Sequence, residues 1–167
     1  MKKKILITGS GGMSGRDLTS LLGKTYDVIC TDIAKNKNPH CKGKDFIKCD
    51  IADKEATVSA VKKSKAEIVL HTAAWTDVDG CELDEKTAMK INTEGTRNVA
   101  LGCRESKAVM FYISSDFIFD GGKKDSYRED DATNPLNTYG LSKLKGEEAV
   151  KKLGIQPAQL LDEAGHA

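Results

Sequence analysis

The 167 residues are enough for one domain with a sizeable core and too few for two. Hydrophobic residues make up 39% and charged ones 31%, a globular balance that excludes a disordered or fibrous chain. With 26 Lys and Arg against 25 Asp and Glu, the net charge of +1 argues against a binder of nucleic acid or of membrane surfaces.

Lys2-Lys3-Lys4 has the charge of a signal-peptide start, but the apolar run behind it is short and breaks into glycines. No stretch is long enough to span a bilayer, so a cytoplasmic location is expected. Ile5-Leu6-Ile7 reads as a strand, the glycine cluster 9–15 as a tight loop and 16–22 as a helix. Residues 26–31 read as a second strand ending at Asp32, and Asn36-Lys37-Asn38-Pro39 as a loop. Phe46-Ile47-Lys48-Cys49 reads as a third strand, again ending at an acid, Asp50. Asp53 is placed to cap a following helix, with Glu55 in its first turn, Val58 and Val61 on the buried face and lysines near its end.

Residues 68–72 form a continuous apolar run of the kind found in parallel sheets covered on both faces. They empty into a polar loop, 73–79, that begins with Ala73-Ala74. A long helix is expected over about 84–105, a fifth strand over 109–113 closing in Ser114-Ser115-Asp116, and a last helix over about 138–153 with Leu141, Leu144 and Val150 on one side. Strands alternating with helices imply an α/β fold, a Rossmann-like doubly wound parallel sheet with right-handed crossovers. Ligands of such sheets bind at the carboxyl ends of the strands, which brings Gly9 to Gly15, Asp32, Asp50, Ala73-Ala74 and Ser114-Ser115 to one edge.

Cys30, Cys41, Cys49, Cys81 and Cys103 are odd in number and lack a C-x-x-C pair, so reduced thiols are expected and no disulfide framework or zinc site. His40, His71 and His166 are too dispersed to suggest a metal site.

A glycine loop at a helix N-terminus lets main-chain N–H groups approach a pyrophosphate, where any Cβ would block the approach. The spacing here is Gly9-x-x-Gly12-x-x-Gly15, with Met13 and Ser14 between the last two glycines and Gly11 extra; it departs from G-x-G-x-x-G because Ser14 stands at the last position. Asp32 follows at the distance at which an acid bonds the adenosine ribose hydroxyls, and its charge would repel a 2′-phosphate. NAD is therefore favoured over NADP, with Lys35 and Lys37 softening the preference. Asp50-Ile51 is placed to meet the adenine. Tyr139 and Lys143 stand four apart on one helix face, where an ammonium lowers the pKa of a phenol and can also hold a ribose. Ser115, at the end of the preceding strand, offers a hydroxyl to a substrate carbonyl.

The glycine loop, Asp50-Ile51, the stretch from Ala73 through Trp75 to Glu82, Ile91-Asn92-Thr93-Glu94-Gly95-Thr96, the stretch from Ser114 to Gly121 and Tyr139-Gly140-Leu141-Ser142-Lys143 together resemble the extended short-chain dehydrogenase/reductases. Among these the chain is most similar to the dTDP-4-dehydrorhamnose reductase family, from residue 4 to about 153. The resemblance implies reduction of the 4-keto group of a dTDP-linked deoxysugar by NAD(P)H, with Ser115, Tyr139 and Lys143 catalytic. It further implies a dinucleotide held by Gly9, Gly12, Met13, Gly15, Asp32, Asp50, Ile51, Ala73, Ala74, Tyr139 and Lys143. Asn92 is a candidate to support Lys143 through water, and Trp75 either stacks near nicotinamide or substrate or serves as packing.

The resemblance also implies an arginine-threonine-serine strand after the Tyr-Lys helix, and the sequence from Gly154 does not carry it. Residues 1–153 are thus expected to form an NAD(P)-binding domain, followed by an atypical, foreign-looking tail at 154–167, with the substrate-binding lobe absent and activity low or lost. An uncovered sheet edge would favour self-association, a homodimer being one form open to it. Two other readings stay open: a sugar-nucleotide epimerase or dehydratase of the same superfamily, and a non-catalytic subunit resembling the regulatory subunit of methionine adenosyltransferase.

Overall fold

Leu6 and Ile7 are fully buried in strand β1 (Lys4–Thr8), because this strand has sheet on both edges and helices on both faces. The structure, a computed structural model, describes residues 2–34, 37–155 and 158–160. Among the described residues six parallel strands lie in the order β3-β2-β1-β4-β5-β6: β2 is Asp27–Asp32, β3 Phe46–Lys48, β4 Ile68–His71, β5 Val109–Ile113 and β6 Ala158–Leu160. The winding reverses between β1 and β4, which opens a crevice beyond their carboxyl ends.

The helices are α1 (Met13–Leu22), α2 (Lys54–Ser64), α3 (Val78–Leu83), α4 (Glu85–Ala88), α5 (Thr96–Ser106) and α6 (Thr138–Lys152). Asp53 caps α2 as expected, its Oδ1 accepting the Ala56 N–H at 2.9 Å. The core layer joins Leu6 and Val69 of the sheet to Val61 of α2, Val99 and Cys103 of α5 and Val150 of α6. Helices α2 and α5 approach closely because Gly102 faces Val61: a Cβ there would lie 2.8 Å from Val61 Cβ. All five cysteines are buried free thiols. Among the described residues no helix is long and apolar enough to cross a membrane.

Several elements differ from the sequence reading. Helix α1 starts at Met13 rather than 16, since Gly12 already accepts the Arg16 N–H. The polar stretch after Ala74 contains α3, started by Asp77, whose Oδ1 accepts from Gly80 N at 3.0 Å. The expected long helix is α4 and α5 joined through a π-helical segment, Met89–Gly95. The buried face of α6 is Tyr139, Ser142, Lys143, Gly146, Glu147 and Val150, with Leu141 and Leu144 only half-buried. Residues Ala158–Leu160, read as unsuited to a strand, pair in parallel with β5, so the sheet extends one strand further than expected. Lys35, Asn36, His166 and the tail from 161 lie outside the described residues.

The core position Leu6 and the exposed Leu83 should therefore separate sharply in urea unfolding. Leu6→Ala is expected to cost about 2–5 kcal/mol, and Leu83→Ala to change stability by less than about 0.5 kcal/mol.

Candidate active site

Where β1 ends, the chain turns through Gly9, which has φ +66 and sits so close to the β4 loop that a Cβ would lie 2.7 Å from the Ala73 Cα and N. Gly15, on the first turn of α1, packs directly on the Gly9 carbonyl and Ser10. The turn is held from outside by two side chains. Asp32 Oδ2 accepts the Gly11 N–H at 2.9 Å and its Oδ1 the Ala34 N–H at 3.2 Å. Buried Asn38, in a segment that reads simply as loop, donates to the Ser10 carbonyl at 2.8 Å and to Thr19 Oγ1 at 2.9 Å.

Two cavities meet over this turn. The first, of about 370 Å³, is lined by Gly9, Gly12, Asp32, Asp50, Ile51, Ala73, Ala74 and Trp75 among others. The second, of about 400 Å³, is lined by Gly9, Gly12, Met13, Gly15, Ala74, Ser115 and Tyr139 among others. Gly9, Gly12, Thr72 and Ala74 border both, so the two form one cleft across the strand ends. Asn98 fixes the Asp50-Ile51 step by donating to the Ile51 carbonyl at 2.9 Å.

Ser115 is buried and caps a short 3-10 turn, accepting the Phe117 N–H at 3.2 Å and donating to Asp116 Oδ1 at 3.2 Å. Tyr139 is placed by Asn137, which caps α6 by accepting the Gly140 N–H at 2.7 Å, and by an edge-to-face contact with Phe117. The close fit of α6 on the 3-10 turn requires Gly140, whose Cβ would strike the Phe117 carbonyl. Lys143 is the one predicted site residue outside both linings. It lies 5% exposed beneath them, its Nζ donating to the Ile113 carbonyl at 2.6 Å. Burial pulls its pKa down to about 8, with Glu147 pulling the other way.

Two further candidates, Trp75 and Asn92, are placed as follows, Trp75 in the packing role that was one of its two expected readings. Trp75 borders the first cavity, beside Asp50 and Ile51, and not the one holding Ser115 and Tyr139; its other side packs on Cys81, Ala88 and Tyr139. Asn92, in the π segment, gives its amide to Trp75 and Ser142: Oδ1 accepts the Trp75 N–H at 2.8 Å, and Nδ2 donates to the Trp75 carbonyl at 3.0 Å and to Ser142 Oγ at 2.9 Å.

Beneath the cleft runs a polar chain that no spacing in the sequence announces. Thr96 Oγ1 donates to the Asn92 carbonyl at 2.6 Å, so it must accept from His71 Nε2–H at 3.0 Å. His71 Nδ1 is then the acceptor of the Thr8 hydroxyl at 2.7 Å. The imidazole is thereby fixed in one neutral tautomer. Burial, joined by the positive charge of Lys143, holds the His71 pKa down at about 3. With Thr72 donating to the Thr8 carbonyl at 2.6 Å, the loop that walls both cavities is tied down at each end.

The residues fit a bound dinucleotide. The Gly9 and Gly15 contacts leave room for main chain only, and two buried hydroxyls bordering the cleft, Thr31 Oγ1 and Ser114 Oγ, lack a hydrogen-bond partner in the protein.

A family model described as the RmlD substrate binding domain matches residues 2–159. A dTDP-4-dehydrorhamnose reductase of Streptomyces griseus is 38% identical over 145 residues, 87% of this chain and 44% of that protein. The crystal structure of dTDP-4-dehydrorhamnose reductase from Bacillus anthracis, in complex with NADP, is similar with TM-score 0.83 at 31% identity, over 96% of this chain and 52% of that one. The UDP-glucose 4-epimerase of Brucella ovis, in complex with NAD, is similar with TM-score 0.85 at 25% identity, over 95% and 51%. The chain thus spans about half the length of these proteins.

The neutral His71 sets a pH dependence. Its folded pKa of about 3 lies below the ordinary 6.5, so the unfolded chain binds a proton that the folded one refuses. Its contribution to stability is complete above pH 6.5 and is lost as pH falls toward 3. Urea unfolding at pH 7 and pH 5 should show a drop in wild type that is smaller by about 2 kcal/mol in His71→Asn, although the variant is less stable throughout.

Proposed function

The chain belongs to the RmlD substrate binding domain family, and from that membership and the geometry of the cleft we propose that it binds NAD(H) and serves in the reduction of the 4-keto group of a dTDP-linked deoxysugar. The observation that carries this reading is the continuous cleft that has Asp32 and Asp50 at one end, the glycine turn at its middle and Ser115 and Tyr139 at the other end. In it the pyrophosphate lies against Gly9, Gly12, Met13 and Gly15. The adenosine half lies along Asp32, Asp50, Ile51 and Ala73, and Ala74 borders the passage between the halves. A nicotinamide dinucleotide in this cleft supplies the hydride.

The chain supplies the rest. Ser115 donates a hydrogen bond to the sugar carbonyl oxygen, and Tyr139 gives that oxygen its proton as the carbonyl carbon is reduced. The phenolate left on Tyr139 is stabilised by the charge of Lys143, an effect strengthened by the burial of both side chains. Asp32 sets the choice of cofactor: its carboxylate accepts ribose hydroxyls and repels a 2′-phosphate. The partner is a small nucleotide-sugar.

The one tryptophan of the chain borders the cleft, so binding is read directly from Trp75 emission and from energy transfer to a dihydronicotinamide. NADH should quench Trp75 at lower concentration than NADPH. Asp32→Ala should weaken NADH on the order of tenfold and narrow the gap between the two. Tyr139→Phe should bind NADH within about threefold of wild type while lowering any reduction of a dTDP-4-keto-6-deoxyhexose by about a hundredfold or more. Absence of binding of either dinucleotide at millimolar concentration would overturn the reading. Product analysis separates reduction from epimerisation, the activity named for the Brucella ovis protein.

A further inference from the structure

Lys143 brings a charge into the protein interior, and one residue meets it at both ends. Its ammonium lies 4.4 Å from the centroid of the Tyr112 ring. The same Tyr112 donates its hydroxyl to the Lys143 main-chain carbonyl at 3.0 Å. Tyr112 is fully buried, and burial pushes its phenol up, with Glu147 adding to the effect, so it stays neutral and donating.

The approach of α6 to this ring depends on Gly146. A Cβ there would lie 2.7 Å from Tyr112 Oη and 3.0 Å from the Asn92 carbonyl. Among the described residues, the titratable groups gathered around Lys143 are Glu147 and Tyr139 of its own helix, Tyr112 of β5 and His71 of β4. His71 stacks on Tyr112 with centroids 5.8 Å apart and is neutral, so it adds no opposing charge.

An ammonium has three donors, and the Ile113 carbonyl takes one. Desolvation of a cation is costly unless other groups take its charge, and the negative face of an aromatic ring does so most strongly away from water. We propose that Tyr112 is a positioning residue for Lys143: its ring holds the ammonium charged beneath the cleft, and its hydroxyl fixes the helical turn that carries it. The proposal rests on the reading of Lys143 as the partner of Tyr139 given above. A purely structural tyrosine would share the burial and the hydroxyl bond but would leave the titration of Lys143 indifferent to the electron density of the ring.

The test is a pH titration of the Lys143 side chain, followed by NMR in the full chain with ¹³Cε-labelled lysine and no dinucleotide present. Wild type should titrate near about 8. Tyr112→Phe, which keeps the ring, should titrate within about 0.3 pH unit of wild type, and Tyr112→Leu about one pH unit lower. Because Tyr112→Leu removes a fully buried side chain, a second series replaces Tyr112 with phenylalanines carrying increasing numbers of fluorines, which keep the shape and drain the ring. The midpoint should fall stepwise along that series. A midpoint unmoved by fluorination, or one that falls as far in Tyr112→Phe as in Tyr112→Leu, would overturn the proposal. Failure of the chain to bind NADH would strike the cofactor reading alone, since this titration contains no dinucleotide.

Discussion

The contact on which the cleft depends is the close passage of the Gly9 turn against Ala73. Two adjacent parallel strands, β1 and β4, send their chains off to opposite faces of the sheet, and their exits pass within a distance that admits no side chain at Gly9. The glycines are therefore a packing requirement before they are a binding feature: Gly15 must lie on the Gly9 carbonyl for α1 to start where it does. Once that is met, a concave strip of main chain faces the cleft, with a helix N-terminus beside it. That is the environment an anion favours.

The floor of the cleft is polar, which is unusual for a layer so deeply buried. Thr8, His71, Thr96, Asn92 and Ser142 are each almost fully enclosed and each bonded to a neighbour. Buried polar groups bonded in this way rigidify what lies above them, since any displacement leaves a donor or acceptor without a partner. Their common product is a loop, Ala73 to Trp75, fixed on both sides and bordering both cavities. Lys143 belongs to the same layer, its ammonium bonded to the Ile113 carbonyl and facing the Tyr112 ring.

Much of this was legible in the sequence, for reasons that differ by residue. The parallel strands announce themselves as short apolar runs, and Gly9, Asp32, Asp50 and Ser115 follow them directly, so their gathering at one edge is a consequence of topology. Asp53 was readable because capping is a local interaction. The polar face of α6 was not: counting apolar positions selects Leu141 and Leu144, whereas the helix buries Ser142, Lys143 and Glu147 because their partners come from β5 and the π segment. Asn92 and Trp75 were found as candidates, but not their pairing with each other, which spans seventeen residues and depends on a helix irregularity. Strand β6 was missed because main-chain pairing with β5, not an apolar pattern, defines it.

That irregularity makes chain length a variable of the site in its own right. An α-helix advances about 100° per residue, so a single deletion within Met89–Gly95 that returned the segment to regular α-helix would swing the side chain at 92 away from both Trp75 and Ser142. Helix α5 could keep its packing on α2 while the wall of the cleft lost its anchor. Substitution at Asn92 and a change of register nearby are in this respect equivalent. Insertions and deletions in this segment would thus be filtered by their effect on the cleft, even where the fold itself tolerates them.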